Sequence, residues 1–133
     1  DSLQPGDYFA INAYVEMNDM HARPLENLRL AVRNSKRVAT TLGFGPRFLH
    51  STGQLHKGGP NSGVFLQITA DDAHDLAIPG QKFSFGVLKQ AQASGDFTVL
   101  EERGRRAIHL HLGPDVEPAL QWLSQQVAAS LTS

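Results

Sequence analysis

Apolar positions along the chain fall into short blocks, and the spacing within each block predicts a strand or a helix. Residues 8–15 are apolar at nearly every position, which is typical of a strand buried on both faces, with Asn12 as the polar exception. Residues 38–42 and 64–69 form two further apolar blocks. Residues 107–112 alternate, so we expect a fourth strand with two different faces. These faces carry Ile108, Leu110 and Leu112 on one side, and His109 and His111 on the other.

Two helices are predicted in the first half of the chain. Pro24 suits the first turn of a helix that ends near residues 34–35, and residues 17–22 would then form a connector. The apolar face of this helix carries Leu25, Leu28, Ala31 and Val32. A second helix is expected over residues 46–57, because a glycine turn precedes it, a proline opens it and two glycines follow it.

A third helix is predicted over residues 85–94. Ser84 is its candidate cap, and its apolar residues would face the core. These core-facing residues would be Val87, Leu88 and Ala91. Asp96 is then expected to cap a separate, turn-rich piece that ends at Gly104.

The last helix is expected after Asp115, with Pro118 in its first turn. Its apolar face carries Leu120, Leu123 and Val127. Strands and helices then alternate through residues 1–133, which predicts a single α/β domain. We expect a three-layer, flavodoxin-like sandwich with a mostly parallel sheet of about four to five strands. Ligands of such sheets bind outside the carboxyl ends of the strands, here near Gly43, Asp71 and Gly113.

Composition and charge narrow the classes of function. The chain has 12 Lys and Arg and 13 Asp and Glu, and this balance argues against a general affinity for nucleic acid or for an anionic membrane. It has no cysteine, which excludes a disulfide framework and a thiolate metal site and suits a reducing cytosol. No signal peptide is visible. The chain begins at Asp1 without a methionine, so we expect a fragment of a longer protein.

The densest group of chemically useful side chains lies in residues 49–63. This stretch holds two histidines, a lysine and four glycines, and a loop needs neither histidine nor lysine. On a helix, His50, Gln54 and Lys57 would share one face, and a histidine there can move protons near neutral pH. A capping or surface role explains His50 as well, and the helix dipole alone accounts for His56 and Lys57 at a helix end.

Three other candidates lie outside this stretch. His109 and His111 are a possible metal pair, but a third ligand would have to come from elsewhere, and an exposed sheet face also explains them. Lys89 is expected to face solvent from its spacing alone, opposite the predicted core face of its helix.

Two segments resemble a known enzyme family. LGFGPRFLHSTGQLHKGGPNSGVFLQIT (residues 42–69) and GQKFSFGVLKQAQASGDF (residues 80–97) are similar to the C-terminal part of phosphoglucose isomerases. The likeness is closer to the isomerase half of bifunctional transaldolase/phosphoglucose isomerase fusions, and there it runs from about residue 6 to residue 123.

The resemblance assigns roles to individual residues. If one residue is deleted, the family's ring-opening histidine falls on His50; aligning the Gly-Gln pair instead places it nearer His56. Lys89 matches the family's essential lysine. The substrate-binding residues that the resemblance implies are Ser51, Thr52, Gln54, His56 and Gln81.

The resemblance implies a sugar-isomerase (SIS-like) fold and the interconversion of glucose 6-phosphate and fructose 6-phosphate in the cytoplasm, with no cofactor and no metal. The family's base is a glutamate, and no convincing match for it occurs in this chain. We therefore expect the base and the phosphate site in an N-terminal isomerase lobe of the same protein. The family also implies a homo-oligomer. The partners are then a sugar phosphate, that lobe and a second copy, and the isolated fragment is expected to be inactive.

Two other interpretations stay open at this point. The chain is a non-catalytic sugar-phosphate-binding module of the same fold, or it is a structural dimerisation lobe without a ligand. The positions of His50 and Lys89 relative to a common cleft would discriminate between these classes.

Overall fold

The fold consists of parallel strands covered by helices on both faces. The computed structural model describes residues 3–4, 6–15, 18–45, 61–71, 79–82 and 85–132. The strands are β1 (Tyr8–Tyr14), β2 (Ala39–Phe44), β3 (Gly63–Thr69) and β4 (Arg106–His111). The helices are α1 (Asp19–Lys36), α2 (Phe85–Glu102) and α3 (Val116–Thr132). The helix predicted over residues 46–57 lies outside the described residues.

The four strands form one parallel sheet in the order β2-β1-β3-β4. The chain moves from β1 to β2 in one direction across the sheet and from β3 to β4 in the other. Right-handed crossovers therefore place α1 and α2 on opposite faces. The three-layer α/β sandwich predicted from the sequence is confirmed. The order reverses between β1 and β3, and the crevice at such a reversal is where ligands of these folds bind.

The inner strands β1 and β3 present apolar side chains to the face of the sheet under α1 and α3. Alternate residues of β1 and β3 point into it and pack against both helices in one core. The core residues of the two strands are Phe9, Ile11, Ala13, Leu66 and Ile68, and those of the helices are Leu25, Leu28, Val32, Leu120 and Leu123. In the described ranges, no helix is both long and apolar enough to cross a membrane.

Helix α1 begins earlier than the sequence predicts. The Oδ1 of Asn18 accepts a hydrogen bond from the backbone N–H of His21 at 2.9 Å and caps the helix. The predicted connector over residues 17–22 is therefore wrong, since the helix begins at Asp19. Pro24 lies buried within the helix rather than in its first turn, and it has no N–H to donate to the carbonyl four residues back.

Helix α2 differs from the prediction in its length and in its buried face. It is one continuous helix from Phe85 to Glu102, so Asp96 is not a cap. The predicted core residues are exposed instead: Val87 by 52%, Leu88 by 37%, and Ala91 as well. Among the α2 residues whose burial the structure describes, the buried ones are Ala93, Asp96 and Leu100. The prediction failed because the sheet-facing stripe contains a carboxylate, which a search for apolar spacing passes over.

The last strand and helix mostly follow the prediction. Leu110 and Leu112 pack against the core, but Ile108 is 62% exposed because β4 is an edge strand in the described sheet. The carbonyl of Asp115 accepts the first helical hydrogen bond of α3 from the N–H of Ala119, at 3.3 Å. The predicted apolar face of α3 is confirmed, since Leu120 and Leu123 are buried and Val127 packs against them.

The cap of α1 gives a direct test of why the helix begins where it does. Asn18→Ala removes the acceptor for the His21 N–H, and we expect the free energy of unfolding to fall by about 1 kcal/mol in urea denaturation. Asn18→Asp keeps an acceptor oxygen and should retain most of the stability. An equal loss in both variants would show that the cap is not what stabilises this end of the helix.

Candidate functional site

The sheet face under α2 is divided into an apolar half and a polar half. Strand register places Ala10, Phe65 and Ala107 side by side toward the amino ends of β1, β3 and β4. Leu100 packs on this row. The next two rows, toward the carboxyl ends, are polar. They consist of Asn12, Gln67 and His109, and then of Tyr14, Thr69 and His111. Polar side chains thus occupy the half of the sheet where ligands of this fold class bind.

The first polar row is buried and carries unused hydrogen-bonding capacity. Gln67 donates from Nε2 to the carbonyl oxygen of Ala93 on α2, at 2.8 Å. The Nδ2 of Asn12 and the Oε1 of Gln67 have no hydrogen-bond partner among the described residues. Both side chains are 1% exposed and are neighbours in the register. An unpaired donor therefore lies beside an unpaired acceptor, and burying such groups costs free energy.

Tyr14 and Asp96 form a second buried polar contact under α2. Burial raises the pKa of Tyr14 far above its usual value, and the nearby Asp96 carboxylate raises it further through its negative charge and a hydrogen bond. Tyr14 is 1% exposed and Asp96 is 5% exposed. The tyrosine is therefore a neutral donor at physiological pH.

Four side chains at the ends of β3 and β4 are joined by hydrogen bonds, and we call them the Thr69 network. The Oγ1 of Thr69 lies 2.7 Å from Nε2 of His109 and 2.8 Å from Nδ1 of His111. The Nε2 of His111 lies 2.9 Å from Oδ1 of Asp71. Thr69 is buried, whereas the side chains of His111 and Asp71 are about half exposed, at 44% and 50%. The network thus reaches from the interior to the surface at the carboxyl edge.

His109 has the more perturbed environment of the two histidines. Partial burial lowers the pKa of His109, and the neighbouring His111 lowers it further. The ring of His109 also packs against Phe97 of α2, with a centroid distance of 5.7 Å. His109 is therefore biased toward its neutral form, in which one ring nitrogen donates and the other accepts.

Lys89 lies on the sheet-facing side of α2, and the prediction that it faces solvent is wrong. It precedes Ala93 by one helical turn, and Ala93 packs against Tyr14. Because α2 passes Leu100 over the amino half of the sheet, its earlier turns lie toward the carboxyl edge. Helical geometry thus brings half-buried Lys89 to the edge beside β1 and β3.

Apart from Lys89, Gln81 is the one predicted site residue that lies within the described residues. Gln81 is exposed in the turn that contains Gly80. The remaining predicted residues lie outside the described residues; they are His50, Ser51, Thr52, Gln54 and His56. Within the described ranges, no three His, Cys, Asp or Glu side chains are placed to hold a metal ion. The paired histidines, considered as metal ligands from the sequence, bond to the Thr69 hydroxyl instead.

Four residues of this region were not predicted from the sequence as members of a site: Thr69, Asp71, Tyr14 and Asp96. One pattern in the sequence did indicate these positions. Gln67 and Thr69 interrupt an otherwise apolar strand, as Asn12 does in β1. Polar residues at alternate positions of a doubly buried strand indicate a polar face, and this pattern could have directed attention to them.

Comparison with known proteins establishes the fold only. The chain is similar to the crystal structure of a hypothetical protein from Thermus thermophilus, with a TM-score of 0.77 and 20% sequence identity over 93% of the chain. The chain spans 34% of the length of that protein. A de novo designed Rossmann fold protein aligns with 91% of the chain at a TM-score of 0.48 and 9% identity. No protein-family model and no curated protein matches the chain.

The contact between Tyr14 and Asp96 can be tested by alkaline titration. The chain has two tyrosines, so a Tyr8→Phe background isolates Tyr14. Asp96→Asn removes the negative charge beside the hydroxyl, and we expect the pKa of Tyr14 to fall toward its ordinary value. Phenolate absorbance measures this change. Asp115→Asn changes the net charge equally and should leave the Tyr14 titration in place; the same shift in both variants would contradict the contact.

The lowered pKa of His109 predicts how stability depends on pH. A histidine whose pKa is lower in the folded state binds fewer protons than the unfolded chain does at a pH just below about 6.5. The contribution of neutral His109 to the free energy of unfolding is therefore complete above that pH and is lost as the pH falls. We expect His109→Gln to reduce the loss of unfolding free energy between about pH 7 and pH 5, measured by urea denaturation. If the unfolding free energy of His109→Gln depends on pH as steeply as that of the unchanged protein, this account is contradicted.

Proposed function

We propose that the chain is the C-terminal, SIS-like lobe of a sugar-phosphate isomerase that interconverts glucose 6-phosphate and fructose 6-phosphate. Two similarities support the proposal. The segments at residues 42–69 and 80–97 resemble the isomerase half of transaldolase/phosphoglucose isomerase fusions. The parallel α/β sandwich is also the class of fold that this resemblance implies.

The observation that carries the proposal is the position of Lys89. The resemblance assigns it the role of an essential lysine, whereas its spacing alone predicted a solvent-facing residue. It lies on the sheet-facing side of α2, toward the carboxyl edge beside β1 and β3. This edge also carries the reversal of strand order, where ligands of such sheets bind.

The chemistry assigned to the chain consists of ring opening and stabilisation of charge. A neutral histidine, His50, transfers a proton between the ring oxygen and the anomeric hydroxyl of the sugar. The Lys89 ammonium stabilises negative charge that develops on the substrate oxygen. The base that moves a proton between C1 and C2, and the groups that bind the phosphate, come from an N-terminal lobe of the same protein. A second subunit completes the active site with a histidine. The reaction needs no cofactor, and we assign it to the cytoplasm.

Removing Lys89 tests the proposal in the natural protein that contains this chain. We expect Lys89→Ala to lower kcat for the isomerisation of fructose 6-phosphate by roughly 10²- to 10³-fold, because an oriented positive charge is lost. His50→Ala should lower kcat as well. Lys82→Ala, at an exposed lysine in the turn before α2, is the matched control and should retain activity.

The same measurements separate the proposal from its alternatives. Full isomerase activity in both Lys89→Ala and His50→Ala would contradict the catalytic assignment. Calorimetric binding of fructose 6-phosphate, without turnover in the natural protein, would favour a sugar-phosphate-binding module. Neither binding nor turnover would favour a structural dimerisation lobe.

A further inference from the structure

The Thr69 hydroxyl links the two histidines of the Thr69 network through a single proton. It lies within hydrogen-bond distance of one ring nitrogen of each, at 2.7 Å for His109 and 2.8 Å for His111. A hydroxyl can donate to only one acceptor at a time and can accept with its oxygen. If it donates to one neutral ring, it must accept from the other. The tautomers of the two histidines are therefore coupled.

Asp71 determines the direction of these hydrogen bonds. Its carboxylate can only accept, so the Nε2 of His111, 2.9 Å away, carries a hydrogen. The Nδ1 of neutral His111 is then an acceptor, and the Thr69 hydroxyl donates to it. The Thr69 oxygen in turn accepts from Nε2–H of His109. Two hydrogen bonds thus run in one direction, from His109 through Thr69 to His111, and a third continues in that direction from the His111 ring to the carboxylate.

We propose that the Thr69 network is a relay that carries one proton between His109 and His111, with Asp71 as the positioning residue. A proton that arrives at Nδ1 of His109 allows its Nε2 hydrogen to pass to the Thr69 oxygen. The hydroxyl hydrogen passes at the same time to Nδ1 of His111. The result is a neutral His109 with its hydrogen on Nδ1 and a positively charged His111 beside Asp71. Return of the proton reverses each step.

Once one histidine of the Thr69 network is charged, the hydrogen bonds of the network disfavour protonation of the other. With both rings charged, two N–H groups would point at the Thr69 oxygen, and the hydroxyl hydrogen would have neither ring nitrogen as an acceptor. Thr69 is 8% exposed, so water cannot easily replace that acceptor. The charge of His111 also lowers the pKa of His109. The two histidines should therefore take up their protons one after the other.

The relay rests on the proposed function for its substrate. Nδ1 of His109 has no hydrogen-bond partner among the described residues, and it is where a ligand oxygen could exchange a proton. The other titratable groups of the described part of the chain that face this region are Tyr14 on β1 and Asp96 and Lys89 on α2. We assign the relay to a substrate hydroxyl or carbonyl oxygen of the sugar phosphate, in addition to the proton transfer by His50.

Imidazole NMR of the isotope-labelled chain tests the relay without any substrate. Correlations between ring nitrogens and carbon-bound hydrogens distinguish the tautomers, and His109→Gln and His111→Gln assign the signals. We expect both neutral rings to carry their hydrogen on Nε2, and the two rings to charge in separate steps as the pH falls. Thr69→Val, which replaces the hydroxyl by a methyl group, should remove the tautomer preference of His109 and bring the two steps closer together. Thr69→Ser keeps the hydroxyl and should preserve both.

Two results would overturn the relay. One is a His109 that carries its hydrogen on Nδ1 while both rings are neutral, because the hydrogen bonds would then run in the wrong direction. The other is a Thr69→Val variant that keeps a dispersed backbone spectrum and shows unchanged tautomers and titration steps. Because these readouts need no turnover, they decide the relay even if the natural protein fails to isomerise sugar phosphates.

A kinetic measurement on the natural protein tests whether the relay serves the reaction. Thr69→Val should lower kcat by about 10²-fold with little change in KM, and Thr69→Ser should restore most of it. The acidic limb of the pH profile should also move in Thr69→Val but not in the control His21→Gln, which lies on α1. If the protein isomerises sugar phosphates and Thr69→Val leaves kcat and the pH profile unchanged, the role of the relay in that reaction is wrong.

Discussion

The inner strands β1 and β3 are covered on both faces, and this constraint governs the rest of the structure. A strand in that position cannot turn its polar side chains to water, so each polar residue needs a partner inside the protein or a free energy cost remains. On the α1 and α3 side the strands meet this condition by having only apolar residues. On the α2 side they do not, and Asn12, Gln67, Tyr14 and Thr69 are all held beneath one helix.

The polar half of the α2 side explains why this helix looks unusual in the sequence. A helix that covers polar strands has to supply polar groups, and α2 supplies the Asp96 carboxylate and the Ala93 carbonyl. The apolar side chains of Val87 and Leu88 are exposed on the outer side of the helix instead. Stability and candidate chemistry are thus separated within one sheet, with apolar packing concentrated on one face and directional hydrogen bonds on the other.

The sequence was sufficient to predict the strands and the fold class. Continuous apolar runs identified β1 and β3, because such runs are rare outside doubly buried strands. It failed for α2, since the spacing of apolar residues identifies the buried face only when the surface beneath is apolar too. It also failed for the Thr69 network, because the bond from Thr69 to His109 depends on strand register, which links residues forty positions apart.

The residue spacing along helix α2 determines where Lys89 lies over the sheet. The helix is anchored over the sheet by Leu100 at one end of its buried stripe and by Ala93 in the middle, and Lys89 lies one turn further along. Each residue of a helix adds about 100° of rotation and about 1.5 Å of length. Inserting one amino acid between Lys89 and Ala93 would swing the ammonium a quarter-turn off the sheet without disturbing the packing below it. The spacing of these two positions, more than the identity of the exposed residues between them, is what natural variants of the helix have to respect.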